Sequence, residues 1–367
     1  MKLAIRVDAS TAIGSGHLVR CLTLAEAVRA RGAEIRFICR MLPGELCGMV
    51  EARGFPVLRL GAPGANAGSD PIPPHAGWLG VTAAMDAAET GALLAAERCD
   101  WLVVDHYGLD ARWERAVRPQ VKRIMAIDDL ADRGHECDIL LDQNYRQDQS
   151  GLYDRLVPPH CLVLLGPRFA LLRPEFRARR VSAEQRRRDG RVARVLVFFG
   201  ASDAGNATLK AMGALAEAAP GIAVDVVVGA NNAHRDAIRA AAAGMTGVRC
   251  HDQVDMAAMM ADADLYIGAA GTTTWERCCL GLPSLVLTLN AAQAAAIADL
   301  DRIGATCVLG LAEDVPAATL ARAIAAALAA PGKLAGYGRA SMALVDGCGA
   351  ERCSDLLFDQ YGRDNEK

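Results

Sequence analysis

Short apolar runs of β type alternate with amphipathic stretches along this chain, and the alternation stops once and then restarts. In the first half the runs are Leu3–Val7, Ile35–Cys39, Pro56–Leu60, Trp101–Asp105, Arg123–Ile127 and Ile139–Asp142. In the second they are Val195–Phe199, Val224–Val228, Leu265–Ile267, Ser284–Leu287 and Thr306–Leu309. The stretches between them have helical spacing, as in Leu18, Val19, Cys21, Leu22, Ala25 and Val28, closed by Gly32. Alternation of this kind builds right-handed crossover units on a parallel sheet. Two series predict an α/β chain of two Rossmann-like lobes with a cleft between them. The break, Arg177 to Arg194, is polar around Arg186-Arg187-Arg188-Asp189-Gly190-Arg191 and carries no strand pattern. The expected division is therefore 1–180, a linker 181–192, and a second lobe 193–367 with terminal helices. The linker's charge reads as a solvated connector, or alternatively as a phosphate patch.

Size and composition fit two cores. The chain has 367 residues, of which 52% are hydrophobic, and its net charge is −3. That balance gives no reason to expect nucleic acid or an anionic membrane surface as a partner. No apolar run approaches the roughly 20 residues of a membrane span. The sequence opens on a strand pattern, so no signal peptide is expected. None of the twelve cysteines stands in a C-x-x-C pair or a cluster with zinc-ligand spacing, so no metal is expected. Buried free thiols in a reducing, cytoplasmic setting are the natural reading.

Five segments carry candidate chemistry. In Gly14-Ser15-Gly16-His17 the first strand passes through a glycine turn into a helix. Gly14 and Gly16 let backbone N–H groups approach an anion at a helix start. His17 then falls where ligands bind in an open α/β sheet, with a side chain that titrates near neutrality. It can alternatively be a helix residue packed on the strand. The turn is not the dinucleotide fingerprint, because Val19 replaces its third glycine. At the end of another strand, alternation sends Asp105 and Tyr107 to one side and His106 to the other. Tyr107 is a candidate substrate contact, and Asp105 faces the cleft or caps the next turn. Asp128 and Asp129 point apart and read as turn caps rather than an acid–base pair. Gly200-Ala201-Ser202-Asp203 resembles a phosphate-cradling turn, or is simply a tight turn. Gly268 to Glu276 ends a strand with small residues and the hydroxyls of Thr272, Thr273 and Thr274. Glu276 suits a ribose diol, or it complements the helix dipole. Asn290 is a further polar group after a strand. The Gly- and Pro-rich segment from Gly61 to about residue 80 reads as a loop with no role assigned by the sequence.

Taken in order, these residues resemble a known family. Arg6-x-Asp8-x-Ser10, Ile13-Gly14-x-Gly16-His17, His75-x-x-Trp78-Leu79-Gly80-Val81 and Val104-Asp105-His106-Tyr107 lead the series. Ile127-Asp128-Asp129, Asp138 to Asn144, Ala170 to Phe176, Gly200 to Asp203 and Thr273-x-x-Glu276 complete it. Their collinear series, to about residue 310, is similar to the UDP-2,4-diacetamido-2,4,6-trideoxy-β-L-altropyranose hydrolases of pseudaminic acid (nonulosonic acid) biosynthesis. The chain departs from that pattern at Ala201, where a second glycine is usual, and after Asn290, where Gln comes only at 293.

The resemblance implies a glycosyltransferase-B-like fold whose second lobe holds UDP and whose first lobe presents the catalytic residue. It implies that His17 is the general base, activating water to attack C1 of the sugar with inversion and release of UDP, without metal or cofactor. It implies that Glu276 accepts from the ribose, and that Gly200, Ser202, Asp203 and Thr272–Thr274 surround the diphosphate. Asp8, Gly14, Gly16, Tyr107, Arg173 and Asn290 would contact the nucleotide sugar. The alternatives are a glycosyltransferase on the same fold, a hydrolase for a related diacetamido sugar, and a nucleotide-sugar-binding protein without catalysis, against which His17 counts.

Overall fold

The computed structural model describes residues 1–64, 68–200, 202–229, 232–252 and 254–365. They form two compact units. The first is Met1–Asn144, Asp148–Leu171 and Cys348–Lys367, and the second is Tyr145–Gln147 and Leu172–Gly347.

Unit 1 is built on seven strands: β1 (Lys2–Val7), β2 (Glu34–Arg40), β3 (Val57–Leu60), β4 (Cys99–Asp105), β5 (Val121–Ile127), β6 (Ile139–Asp142) and β7 (Leu162–Leu165). They are all parallel, in the order β3-β2-β1-β4-β5-β6-β7. Unit 2 has six: β8 (Arg194–Phe198), β9 (Ala223–Val227), β10 (Val248–His251), β11 (Leu265–Gly268), β12 (Ser284–Thr288) and β13 (Cys307–Leu311). These are also parallel, in the order β10-β9-β8-β11-β12-β13. Helices on both faces explain why central strands such as β1, β4 and β12 read as nearly unbroken apolar runs.

In each sheet the chain winds outward, returns, and lays a new strand beside its first. Val7 on β1 pairs with Asp105 on β4, and Phe198 on β8 pairs with Gly268 on β11. These are the switch points, and ligands of open α/β sheets bind outside the carboxyl ends of the strands there. Both glycine turns of the sequence lie at these two positions.

Eleven of the thirteen strands match apolar runs of the sequence. The two that do not, β7 and β10, are edge strands with half-open burial. An edge strand needs no continuous apolar run, so its sequence signal is weak.

The unit boundaries differ from the expected ones. A helix, Pro174–Arg186, runs into the segment expected as linker, and the units divide at Leu171/Leu172 and Gly347/Cys348. Nor is Arg187 solvated: it is 4% exposed. Its guanidinium donates to the carbonyls of Ala263 (2.9 Å), Leu280 (2.5 Å), Ala261 (3.0 Å) and Met260. These carbonyls close the helices Met256–Asp262 and Thr273–Leu280. A cation at helix C-termini satisfies carbonyls left without intrahelical partners and complements the negative end of the dipole. Burial lowers the Arg187 pKa to about 10, which leaves it charged at neutral pH. Arg180 donates likewise to Cys279, Val345 and Met342 carbonyls at 2.6–2.8 Å. The basic stretch thus fastens the far end of the helix that carries Thr273, Thr274 and Glu276.

All twelve cysteines are free thiols, and Cys161, Cys250, Cys307 and Cys348 are partly exposed. Among the described residues no helix is long and apolar enough to cross a membrane.

Candidate active site

At the switch point of unit 1, the helix Gly16–Arg29 begins directly after the turn that follows β1. Gly14 has φ +79°, a left-handed conformation that glycine adopts without Cβ strain, and its N–H closes the turn on the Ser10 carbonyl at 2.8 Å. The first helical turn places His17 and Arg20 three residues apart on one face. Across the switch point, β4 delivers Asp105. His17 Nδ1 lies 2.6 Å from Asp105 Oδ1. Arg20 holds the same carboxylate with two prongs, Nε to Oδ2 at 2.7 Å and Nη2 to Oδ1 at 2.6 Å. Burial works to raise the Asp105 pKa, but Arg20 and His17 outweigh it and hold the carboxyl well below its ordinary range.

That charge state decides the histidine tautomer. An ionised carboxylate accepts and has no proton to give, so the 2.6 Å contact is an Nδ1–H donation. Arg20 Nη2, 3.1 Å from Nδ1, is then spent on Asp105. In the neutral ring the lone pair is then on Nε2, and the His17 side chain is 10% exposed. A carboxylate that orients an imidazole through one nitrogen makes the other a positioned base.

The surroundings of His17 are aromatic. Tyr107 presents its ring to His17 edge-on at 4.5 Å. Trp78 lies nearly parallel to Tyr107 at 5.7 Å, and His75 packs on Trp78 at 4.6 Å. Tyr107 donates its hydroxyl proton to Asp129 Oδ2 at 2.8 Å, and Arg20 also pairs with Asp129. Burial, reinforced by Asp129, pushes the Tyr107 phenol pKa well up, so it stays neutral. The hydroxyl expected to meet substrate is therefore already engaged, and the ring faces the histidine.

At the switch point of unit 2, Gly200 has φ +90° and Ser202 is exposed, while Ala201 lies outside the described residues. The turn after β11 leads into the helix Thr273–Leu280. Thr274 Oγ1 accepts from Gly271 N–H at 3.4 Å and from Arg277 Nη2 at 3.0 Å. Thr273 is half-buried. Glu276 Oε1 lies 3.6 Å from Arg173 Nη2. Burial pushes the Glu276 pKa up to about 7, against the pull of Arg173 and Arg277. Arg173 Nε is buried without a hydrogen-bond partner.

Three expected ligand contacts are placed otherwise. Asp8 is completely buried. It pairs with Arg6 through both oxygens (2.5 and 2.9 Å) and accepts the Arg40 N–H at 2.7 Å. Arg6 and Arg40 converge in turn on Asp86. Asp8 belongs to a buried charge cluster under the site and has no face for a ligand. Asp203 caps a helix, accepting from Ala207 and Thr208 N–H at 2.8 and 2.9 Å. Asn290 caps the helix Ala291–Arg302 through Gln293 N–H (2.9 Å), and the Gln293 side chain accepts from Leu289 N–H. Short polar side chains that precede helices make such bonds routinely. Asp128 and Asp129 do point apart: Asp128 takes Arg133 and the Ala131 N–H, whereas Asp129 joins Tyr107. The residue that motif reading passed over is Arg20, and its signal was the i, i+3 relation to His17.

Comparison with known proteins places this geometry in context. No protein-family model matches the chain. It is 30% identical over 177 residues to the UDP-2,4-diacetamido-2,4,6-trideoxy-β-L-altropyranose hydrolase of Campylobacter jejuni, covering 48% of this chain and 53% of that protein. The resemblance is to a UDP-sugar hydrolase. The matched stretch spans about half of that hydrolase. The Bacillus subtilis spore coat polysaccharide biosynthesis protein SpsG is 27% identical over 274 residues, 73% of this chain and 79% of that one. The crystal structure of MurG from Acinetobacter baumannii aligns with a TM-score of 0.69 at 13% identity, covering 98% of this chain and 99% of the other. The fold is the two-lobed glycosyltransferase-B architecture.

Proposed function

We propose that this chain hydrolyses a UDP-activated diacetamido-trideoxy sugar, releasing UDP and the free sugar with inversion at C1. Unit 2 binds UDP and unit 1 supplies the base. The observation that carries this reading is the His17–Asp105 pair, which holds the Nδ1–H and makes Nε2 the nitrogen that can accept a proton. Water donates a proton to Nε2 as its oxygen bonds to C1. The C1–O bond breaks, and its electron pair leaves with UDP. Diphosphate is a good leaving group, so its departure needs positive potential more than a proton. Inversion by water needs no carboxylate nucleophile. The similarity to the C. jejuni hydrolase supports the substrate class.

Two measurements test this. Hydrolysis in ¹⁸O-water, followed by NMR and mass spectrometry over a panel of UDP-diacetamido sugars, should place label on the sugar alone. Label on UDP would mean P–O cleavage and would overturn the mechanism. Transfer to an added sugar acceptor in preference to water would make the protein a transferase.

The second measurement concerns Glu276. If its carboxylate accepts the ribose diol, uridine binds the ionised form. With a pKa pushed up to about 7, affinity falls as pH drops through 7. Calorimetry should find uridine about tenfold weaker at pH 6 than at pH 8, and Glu276→Gln should flatten the profile. A profile equally steep in the variant would leave Glu276 only the helix-dipole role.

A further inference from the structure

Unit 2 contains a buried cation at the wrong end of a helix. Arg277 is 2% exposed and belongs to the helix Thr273–Leu280. Its guanidinium donates to Thr274 Oγ1 at 3.0 Å and to the Thr273 carbonyl at 3.3 Å, so it folds back onto the helix N-terminus. It lies over the Tyr266 ring at 4.4 Å, and the Tyr266 hydroxyl donates to the Phe198 carbonyl at 2.6 Å. Tyr266 thereby ties Arg277 to the end of β8, where the Gly200 turn begins.

The other buried arginines are compensated. Arg6 and Arg40 meet Asp86, Arg20 meets Asp105, Arg133 meets Asp128, and Arg187 meets helix C-terminal carbonyls. Among the described residues, Arg277 alone of these has neither a carboxylate within ion-pairing distance nor the carbonyls of a helix C-terminus. The neighbouring Glu276 pairs with Arg173 instead. A cation beside the positive end of the dipole adds to it, and among the described residues no ion pair offsets its desolvation. Thr274 carries the same imprint. Its oxygen accepts from Gly271 and Arg277, so both acceptor sites are occupied and its own O–H remains to be donated.

We propose that Arg277 is a positioning residue for a diphosphate. It adds positive potential at the Thr272–Thr274 turn and turns the Thr274 hydroxyl into a committed donor, so that an anion completes the charge balance. This rests on the reading that unit 2 binds UDP. The group acts through Thr274 and through the field rather than by touching the ligand.

The test compares UDP with uridine, which lacks the phosphates, by calorimetry on wild type, Arg277→Met and Arg277→Lys. Arg277→Met keeps the bulk against Tyr266 and removes the charge. UDP binding should weaken roughly 10- to 100-fold, uridine binding should stay unchanged, and Arg277→Lys should recover part of the UDP affinity. Equal losses for UDP and uridine would show a merely structural role and overturn the proposal, as would unchanged UDP affinity. If Arg277→Met does not fold, Arg277→Lys decides by the same ratio, because an ammonium forms no planar fork on Thr274 and Thr273. A wild type that binds neither UDP nor uridine would instead remove the UDP reading itself.

Discussion

His17→Ala lowers kcat for UDP-sugar hydrolysis by about 10²- to 10⁴-fold, the range for a positioned general base, while UDP affinity stays at the wild-type value. The split between turnover and binding is the informative part. UDP belongs to unit 2 in this reading, and His17 starts a helix of unit 1, so its removal leaves the nucleotide contacts in place. His17 makes one close polar bond, to Asp105, and its ring packs on Tyr107. Truncation therefore costs some packing, which thermal unfolding reports separately. Steady-state kinetics with calorimetry on the same preparation checks the prediction. Wild-type turnover by the variant would end the mechanism.

Asp105→Asn should come close to that loss, about 10²- to 10⁴-fold, with every ring still in place. The amide can present its NH₂ group to Nδ1, which shifts the imidazole proton to Nε2 and turns the base into a donor. The change also leaves Arg20 without its two-pronged partner, so Asp105→Glu serves as the control that keeps the charge. A variant with normal rate would mean that the pair only holds the fold together.

The parts of this chain that were legible in its sequence are those where local pattern and tertiary role coincide. Buried parallel strands are apolar from end to end, and residues at their carboxyl ends take sides by alternation. Hence Asp105 and Tyr107 could be placed on one face and His106 on the other before any coordinates. His106 indeed turns toward Asp8, 3.5 Å away, and not toward His17. Illegibility began where one residue's role depends on a distant one. The family resemblance implied that Asp8 meets the ligand, but Arg6, with Arg40 and His106 from farther along the chain, encloses it. Arg187 sat in a run of charges that resembled a solvated connector, and only the packing of two helix ends reveals its acceptors. Asp203 and Asn290 show a subtler limit. A polar side chain before a helix is equally suited to a ligand and to the helix itself, and the sequence does not distinguish them.

The last helix, Gly349–Asn365, sets the order in which this protein can be made. Ala350, Cys353 and Leu357 complete the core around Leu3, Ile5 and Trp101, and the Trp101 indole donates to the Leu357 carbonyl at 3.2 Å. A ribosome adding 5–20 residues each second needs roughly 20–70 seconds for a chain of this length. Until that helix is made, the core that these residues share with the helix Gly16–Arg29 stays incomplete. The second unit is contiguous from Leu172 to Gly347 apart from three residues already synthesised. The unit encoded second is thus the first that can close, and the unit carrying His17 waits for the helix Gly349–Asn365.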